Sequence, residues 1–432
     1  MERIEKLYKH YQQCQYTVST DTRKIVPGSI FFALKGDNFD ANTFAGEALN
    51  KGAEWVVIDN PDYAVEGKTF VVDDVLETLQ ALSNHHRQQF KIPFIGIGGS
   101  NGKTTTKELV HSVLSEKFNT ISTPGNFNNH IGVPLTLLGI KPNTEMAVIE
   151  LGANRIGDIE ELCAIAQPNY GIITNIGKEH LEGFGSLEGV AKAESELYYY
   201  LLKSNGLAFV NQEDEWLQRM ASRLKRIHWY SKLNKLADTY CELKHDFPDI
   251  EFKLNHTTIK SSLSGSYNFE NILAAVAIGL HFGLSEDNIK KGIESYIPKN
   301  KRSQTITRGS TMIFMDAYNA NPSSMEKALE NFARFDFPQK IAVLGDMFEM
   351  GEHAEKEHHL IYNYACSLKF DKLYVAGEYF KNQALLRGNH GYNTADEINA
   401  ELKTMDLNHT AVFIKGSRGM AMENVLKGIM EI

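Results

Sequence analysis

Short runs of apolar residues alternate along most of the chain with longer segments in which apolar residues recur at helical spacing. Five runs predict buried strands: residues 30–34, 55–59, 93–97, 146–150 and 170–176. Residues 43–51, 75–90 and 103–118 are helical in character. Continuous apolar strands that alternate with helices are typical of parallel sheets, which helices cover on both faces. The pattern therefore predicts an α/β architecture.

The same alternation resumes in the last third of the chain. Residues 312–316, 341–345, 372–376 and 411–415 predict four more buried strands, and helical stretches separate them. The pattern of residues 225–259 is shorter-ranged and more typical of strands. Residues 297–301 combine a proline with charged residues, which is typical of a linker. A length of 432 residues favours about three domains. We predict α/β units at 1–90, 91–298 and 299–432.

Composition narrows the class of protein further. Forty-five basic and 54 acidic residues leave a net charge of −9, which argues against a nucleic-acid binder. The four cysteines are far apart and form no CxxC pair, so we expect reduced thiols. The first residues carry charges throughout, and no apolar stretch approaches the length of a membrane span. We therefore expect a cytoplasmic protein, and a monomer because the sequence shows no coiled-coil pattern or apolar seam.

The clearest chemical signal is a glycine-rich turn between the predicted strand at 93–97 and the helix that begins near Lys103. In a P-loop the backbone N–H groups and the helix N-terminus bind phosphate oxygens, the lysine reaches the β- and γ-phosphates, and the hydroxyl after it binds Mg²⁺. One departure from the usual pattern is Ile97, where a glycine is expected. A chance glycine-rich turn is the alternative. The loop residues are Gly99, Ser100, Asn101, Gly102, Lys103, Thr104 and Thr105.

Other motifs follow in a fixed order from about residue 20 to residue 420. They lie at residues 21–36, 125–134, 150–154, 180–185, 267–271, 316–322, 344–351 and 415–419. Together with the spelling Gly-Ser-Asn-Gly-Lys-Thr-Thr of the loop, they resemble the Mur ligases and, more distantly, the folylpolyglutamate synthases. The runs at 125–134 and 316–322 resemble the family member that adds D-alanyl-D-alanine. Its relative that adds the third residue carries a different signature at 316 and an Asp-Asn-Pro-Arg motif that this sequence lacks.

The resemblance implies three domains, with a P-loop NTPase-like parallel sheet in the centre and a Rossmann-like sheet at the C-terminus. It also implies an ATP- and Mg²⁺-dependent ligation. ATP phosphorylates the terminal carboxylate of a UDP-N-acetylmuramoyl-tripeptide, and the amine of D-alanyl-D-alanine attacks the acyl phosphate to give the pentapeptide precursor of peptidoglycan. The third residue of the acceptor can be lysine or meso-diaminopimelate. The resemblance further implies an open form without ligands.

Site residues carry over by resemblance, and each could instead be a turn, cap or surface residue. Thr104, Glu150 and His180 are candidate metal ligands, although imidazole is an uncommon ligand of Mg²⁺. Nucleotide candidates are Asn271, Arg302, Asp316, Asn319 and Asn321. Candidates for substrate binding are Asn126, Asn128, Asn129 and Arg418 beside the reaction, and Thr22, Arg23, Phe31 and Lys35 for the UDP group.

A second departure lies at residues 191–196, Ala-Lys-Ala-Glu-Ser-Glu. Many Mur ligases carry there a carbamylated lysine that helps to hold a second Mg²⁺. In this sequence Glu194 takes that position, and we expect its carboxylate to replace the carbamate. The alternatives are a modified Lys192 after a small shift in alignment, or a Glu194 on a solvated helix face.

Two other functions remain open from sequence. Another ligase of the same superfamily would use the same ATP chemistry on a different acceptor, and the UDP-type segment at 21–36 argues against a polyglutamate synthase. A P-loop NTPase that only hydrolyses nucleotide would release phosphate without an amino-acid co-substrate.

Overall fold

The computed structural model describes residues 2–36, 38–298 and 301–430, so residues 299 and 300 of the predicted linker lie outside the described residues. Within these ranges the chain forms three α/β units in series, which confirms the predicted architecture. No helix in the described ranges is long and apolar enough to cross a membrane.

The N-terminal unit is a small sheet with strand order β1-β2-β5-β6, in which each pairing is parallel. The strands β3 and β4 form a separate antiparallel hairpin. In chain order the elements are α1 (Glu2–Gln13), β1 (Val18–Ser19), β2 (Ile30–Phe32), β3 (Lys35–Gly36), β4 (Phe39–Asp40), α2 (Ala45–Asn50), β5 (Trp55–Ile58), β6 (Thr69–Val71) and α3 (Val75–Arg87), with 3-10 turns at Thr22–Lys24, Ala41–Phe44 and Pro61–Tyr63.

The central unit is built on a parallel sheet of order β13-β12-β11-β10-β7-β9-β8, followed in the chain by a small antiparallel sheet of order β14-β15-β16. Its strands are β7 (Phe94–Gly98), β8 (Thr120–Ser122), β9 (Met146–Glu150), β10 (Tyr170–Ile173), β11 (Leu207–Asn211), β12 (Ile227–Ser231), β13 (Thr239–Tyr240), β14 (Glu242–His245), β15 (Ile250–Leu254) and β16 (Thr257–Ser261). Its helices are α4 (Lys103–Leu114), α5 (Gly132–Leu137), α6 (Asp158–Ala166), α7 (Leu181–Phe184), α8 (Leu187–Ser204), α9 (Glu215–Ala221), α10 (Ser266–His281) and α11 (Glu286–Ser295).

The central sheet separates two apolar cores because successive side chains of a strand point to opposite faces. On β7, Ile95 and Ile97 pack with α4 and α10, whereas Phe94 packs on the other face with α5, α6 and α8. Both faces are covered, which explains why the strands read as continuous apolar runs in the sequence. The carboxyl ends of β7, β9 and β10 consequently meet at one edge of the sheet, where ligands of open α/β sheets bind.

The C-terminal unit has a five-stranded sheet of order β17-β18-β21-β19-β20. The four strands predicted from apolar runs form its parallel part, and β17 adds an antiparallel edge, so the sheet is mixed. The elements are β17 (Gln304–Arg308), β18 (Thr311–Asp316), α12 (Pro322–Ala333), β19 (Gln339–Gly345), α13 (Ala354–Ser367), β20 (Lys372–Ala376), α14 (Glu378–Leu386), α15 (Ala395–Leu402), β21 (Thr410–Lys415) and α16 (Leu426–Met430), with 3-10 turns at Gly351–His353, Arg418–Met420 and Met422–Val425.

A buried polar layer joins the N-terminal unit to the central unit. The Tyr11 hydroxyl donates to the Leu138 carbonyl, and His86 Nε2 lies 3.0 Å from the Ile140 carbonyl oxygen. Arg87 donates to the carbonyl of Ala166 at 2.9 Å, while its guanidinium lies over the ring of Phe94. Backbone carbonyls at the ends of α5 and α6 thus receive their donors from α1 and α3.

Candidate active site

A cavity of about 510 Å³ lies between the carboxyl edge of the central sheet and the loops of the C-terminal unit. The loops that follow β7, β9 and β10 line one side, and those that follow β18, β19 and β21 line the other. The structure brings most of the predicted site residues to this cavity. Those that line it are Ser100, Asn101, Gly102, Lys103, Thr104, Thr105, Asn126, Asn128, Asn129, Glu150, His180, Asn271, Arg302, Asp316, Asn319, Asn321 and Arg418.

The glycine-rich turn has the geometry of a phosphate-binding loop. Gly99 (φ +111°) and Gly102 (φ +83°) adopt a backbone conformation that side chains rarely allow, and a Cβ on Gly102 would lie 2.4 Å from Asn271 Oδ1. Gly102 is followed directly by α4, a helix of 12 residues whose N-terminus faces the cavity. Ile97, the departure from the usual motif, is fully buried in β7. The substitution therefore falls in the strand and leaves the loop unchanged.

The Lys103 ammonium is folded back onto the loop. It donates to the carbonyls of Gly99 and Ser100 and lies 3.3 Å from Glu179 Oε2. Burial alone would lower the pKa of Lys103, but nearby carboxylates, Glu179 foremost, raise it. The same burial raises the pKa of Glu179. Sequence reasoning missed Glu179, although its place directly before His180 was a usable signal.

Glu150 ends β9 with one carboxylate oxygen occupied and the other open. Its Oε1 accepts from Thr104 Oγ1 at 3.1 Å and from Asn128 Nδ2 at 2.9 Å. Its Oε2 is buried and has no hydrogen-bond partner among the described residues. The nearest cation is Lys107, whose Nζ lies 3.6 Å away. A buried carboxylate oxygen without a donor, beside a threonine hydroxyl, fits the oxygen ligation that Mg²⁺ requires.

Glu194 lies behind the phosphate loop and does not line the cavity. It is 1% exposed, and its Oε2 accepts from the Gly99 N–H at 2.5 Å. Its Oε1 finds no hydrogen-bond partner in the described part of the chain. Burial raises the pKa of Glu194 to about 7, while the charge of Lys103 opposes that rise. Lys192 lies on the exposed face of α8, the helix that also contains Glu194, and does not line the cavity.

His180 is engaged by the C-terminal unit. Its Nδ1 lies 2.7 Å from Glu349 Oε2, and its Nε2 lies 4.0 Å from Glu179 Oε2. Burial alone would lower the pKa of His180, but the carboxylates of Glu349 and Glu179 together raise it, and the net direction is upward. No group of three or more His, Cys, Asp or Glu side chains with metal-site geometry occurs within residues 2–36, 38–298 and 301–430. In this arrangement Glu150 and His180 thus do not form a common ligand set with a third such side chain.

The nucleotide candidates meet where α10 and the C-terminal loops face the phosphate loop. Asn271 Oδ1 accepts from Thr106 Oγ1 at 3.1 Å, and Asp316 Oδ2 lies 2.5 Å from Lys415 Nζ. The Arg302 guanidinium stacks 3.7 Å from the centroid of the Tyr318 ring. Tyr318 and Lys415 were not predicted as site residues, although both belong to the recognised motifs.

Asn319 and Asn321 have structural partners as well. Asn319 Oδ1 accepts from the Ala320 N–H, and Asn321 caps α12 through the Ser324 N–H. The other end of the Asn321 amide donates to Asn101 Oδ1 at 2.8 Å. This bond ties the C-terminal unit directly to the phosphate loop.

Four substrate candidates line the cavity, and the side chains of Asn128, Asn129 and Arg418 have partners. Asn129 Oδ1 accepts from the N–H of Gly132, the first residue of α5, at 2.9 Å, whereas the Asn126 side chain is exposed. Arg418 pairs with Glu423 at 2.9 Å across exposed surface. The loop of residues 125–129 thus presents amide groups next to Glu150.

The candidates for the UDP group do not line this cavity. Arg23 pairs with Asp21 at 2.9 Å and Lys35 with Asp59 at 2.7 Å, while Thr22 begins a 3-10 turn. Phe31 requires a correction. It is 1% exposed and packs in the core of the N-terminal unit, because β2 is a central strand covered on both faces. Its side chain is therefore not available to a ligand.

Comparison with known proteins agrees with this geometry. The family model described as the Mur ligase middle domain matches residues 97–279, and the one described as the Mur ligase glutamate ligase domain matches residues 301–429. The UDP-N-acetylmuramoyl-tripeptide–D-alanyl-D-alanine ligase of Bacillus subtilis is 33% identical, over 98% of this chain and 95% of the relative. The enzyme of the same name from Escherichia coli is 34% identical, over 96% and 93%.

Solved structures give the same result. MurF from Acinetobacter baumannii superposes with a TM-score of 0.86 at 30% identity and covers 98% of both chains. The MurF ligase of Thermotoga maritima, solved with ADP, gives 0.84 at 27% identity over 96% of this chain and 97% of that one. The resemblance found in the sequence motifs is thereby confirmed over nearly the whole length. This chain belongs to the Mur ligase family.

Proposed function

We propose that this chain joins D-alanyl-D-alanine to a UDP-N-acetylmuramoyl-tripeptide with the conversion of ATP to ADP and phosphate. The observation that carries the proposal is the cavity itself. It places a phosphate-binding loop, an open carboxylate oxygen of Glu150 and the amide-rich loop 125–129 against one another. Relatives of that name match 96–98% of the chain, which supports the choice of acceptor and amine.

The first step brings an anionic carboxylate to an anionic γ-phosphate, so the site must offset their repulsion. The loop N–H groups and the N-terminus of α4 bind the phosphates, and Lys103 exchanges its loop carbonyls for phosphate oxygens. Thr104 and Glu150 would hold Mg²⁺, which supplies positive charge between the phosphates. The acceptor carboxylate oxygen attacks phosphorus, and ADP leaves with the electrons of the broken P–O bond.

In the second step the amine nitrogen attacks the acyl carbon. The C–O bond to phosphate breaks, and the amine releases one proton. The amides of Asn126, Asn128 and Asn129, which line the same cavity as Glu150, would orient the acceptor. Arg302 and Asp316 in the C-terminal unit, together with Asn271 on α10 of the central unit, would hold the nucleotide and exclude water from the acyl phosphate.

Two assignments from the sequence continue as proposals. Glu194 would supply a carboxyl group that needs no added CO₂ in place of a carbamylated lysine, and the buried, unpaired Oε1 supports this assignment. Improved activity of Glu194→Lys only with added bicarbonate would support this replacement, and full activity of Glu194→Ala would exclude it. Arg23 and Lys35, both at least partly exposed, would contact the UDP diphosphate after exchange of their present carboxylate partners. A monomeric state and a cytoplasmic location stay predictions.

The test is ADP release from ATP and Mg²⁺, with UDP-sugar tripeptide and D-alanyl-D-alanine supplied together and singly. We expect release only with both, matched by a pentapeptide product in mass spectrometry, and none from Lys103→Met. Release that ignores both substrates would reject the ligase in favour of a nucleotide hydrolase. Release that follows a different amino acid would reject the acceptor chemistry but keep the ATP site.

A further inference from the structure

Lys107 is a buried lysine for which the reaction described above has no role. It lies one helical turn after Lys103 on α4 and is 1% exposed. Its Nζ donates to the carbonyl of Gly125 at 2.7 Å and lies 3.6 Å from Glu150 Oε2. Lysine is almost never fully buried without a partner, so these two contacts account for its position.

The division of its contacts is informative. The hydrogen bond goes to Gly125, while Glu150 Oε2 receives charge at a distance but no hydrogen bond from any described residue. A buried carboxylate without a nearby cation is costly, and its side chain turns to find a donor. With Lys107 beside it, Oε2 of Glu150 has an ammonium group 3.6 Å away and keeps its lone pairs free of hydrogen bonds.

Lys107 also connects two parts of the site. Gly125 opens the loop of residues 125–129, and Asn128 in that loop donates to Glu150 Oε1 at 2.9 Å. The Gly152 N–H, two residues after Glu150, donates in turn to the Asn128 carbonyl at 2.8 Å. The loop is therefore held to the end of β9 by amide contacts and by one ammonium group that reaches both.

We propose that Lys107 is a positioning residue that holds the Glu150 carboxylate in place at the edge of the cavity and fixes the loop of residues 125–129 beside it. Its role in catalysis rests on the proposed function, whereas its coupling to Glu150 does not. The competing explanation is that Lys107 only satisfies the Gly125 carbonyl, in which case Glu150 is irrelevant to it.

A double-mutant cycle in thermal unfolding without ligands separates the two explanations. Lys107→Met and Glu150→Gln should each lower the melting temperature, because each leaves one buried charge alone. The double variant should then lose clearly less than the sum of the single losses. A double loss equal to the sum would overturn the proposal. Lys117→Met is the matched control, since Lys117 also donates to a backbone carbonyl, that of Gly283 at 2.8 Å, and should be additive with Glu150→Gln.

Calorimetric binding of ADP gives a second readout that a packing role would not move. In Lys107→Met the gain in ADP affinity that Mg²⁺ provides should fall by about tenfold or more, as for other groups that orient a metal ligand. The affinity measured in EDTA should stay within about twofold, since the phosphate loop does not depend on Lys107. Equal losses in both conditions, or a larger effect of Mg²⁺, would overturn the proposal. Absence of ligation by the wild-type protein with the coupling intact would reject the proposed function alone.

Discussion

The burial of the Glu194 carboxyl predicts how the stability of the protein depends on pH. Its pKa in the folded protein is about 7, against an ordinary value of 4.5, and burial is the largest cause. The folded state therefore binds a proton more tightly than the unfolded chain. Stability must fall as the pH rises from the unfolded towards the folded pKa, because a charged Glu194 is disfavoured inside. Glu194→Gln removes this penalty and keeps an oxygen for the Gly99 N–H.

The magnitude follows from the shift in pKa. A pKa shift of about 2.5 units at 1.36 kcal/mol per unit gives a loss of folding stability of at most about 3 kcal/mol at pH 8. The same linkage gives a loss of less than about 1 kcal/mol at pH 5. We therefore expect Glu194→Gln to be more stable than the wild type by up to this amount at pH 8 and nearly equal to it at pH 5.

The assay is urea unfolding followed by tryptophan fluorescence at both pH values. Trp216 and Trp229 lie in the central unit with Glu194, so the signal reports mainly on that unit. Glu188→Gln, an exposed change on the same helix, is the control and should shift stability little at either pH. An equal effect of Glu194→Gln at pH 5 and pH 8 would refute the reasoning, because the penalty would then not arise from ionisation.

Three further outcomes follow from contacts described above. Glu349→Gln weakens the half-exposed pair with His180, worth less than about 1 kcal/mol, so ADP affinity measured by calorimetry should fall measurably but by less than about fivefold. An unchanged affinity would mean that this pair does not help to hold the C-terminal unit at the nucleotide site. Phe31→Ala should destabilise the N-terminal unit by about 3–5 kcal/mol, so that Trp55 fluorescence changes at a lower denaturant concentration than in the wild type. If Phe31 lay at the surface, the substitution would change the stability very little. In the native protein a thiol reagent should modify the partly exposed Cys366 quickly and the buried Cys14, Cys163 and Cys241 only on unfolding, with fast reaction of all four counting against the described cores.

The sequence predicts best those elements whose residue pattern lies within one short stretch of the chain. Strands such as β9 and β21 are covered on both faces, so each appears as an unbroken apolar run. The phosphate loop was equally visible, since its glycines, lysine and threonine are adjacent in the chain. The strand β17 was missed because it lies at an edge and alternates between partly buried and exposed residues. Alternation over five residues without a continuous apolar core resembles a loop.

The site residues that the sequence did not predict were missed for a different reason. Lys107 and Glu179 act through partners 43 and 76 residues away, namely Glu150 and Lys103. The only local signal was the place of Glu179 directly before His180, and an isolated lysine or glutamate in a helix or loop is usually solvated. Phe31 shows the opposite error: it belongs to a recognised motif, yet a motif also contains the residues that hold its strand in place. Glu194 was singled out correctly as unusual, but its place behind the loop depends on how α8 packs under β7.

The polar layer between the N-terminal and central units has a consequence for dissecting the protein. A cut at residue 90 would follow the division of the sequence, yet it would strip the carbonyls of Leu138, Ile140 and Ala166 of donors that come from the removed piece. The cut would also expose to water the apolar side chains of Ile131, Leu135 and Leu138, which pack into the core of the N-terminal unit. The isolated middle fragment should therefore be insoluble or poorly folded, whereas a fragment of residues 1–298 keeps the layer whole. In mechanical terms the polar layer makes the first two units one body.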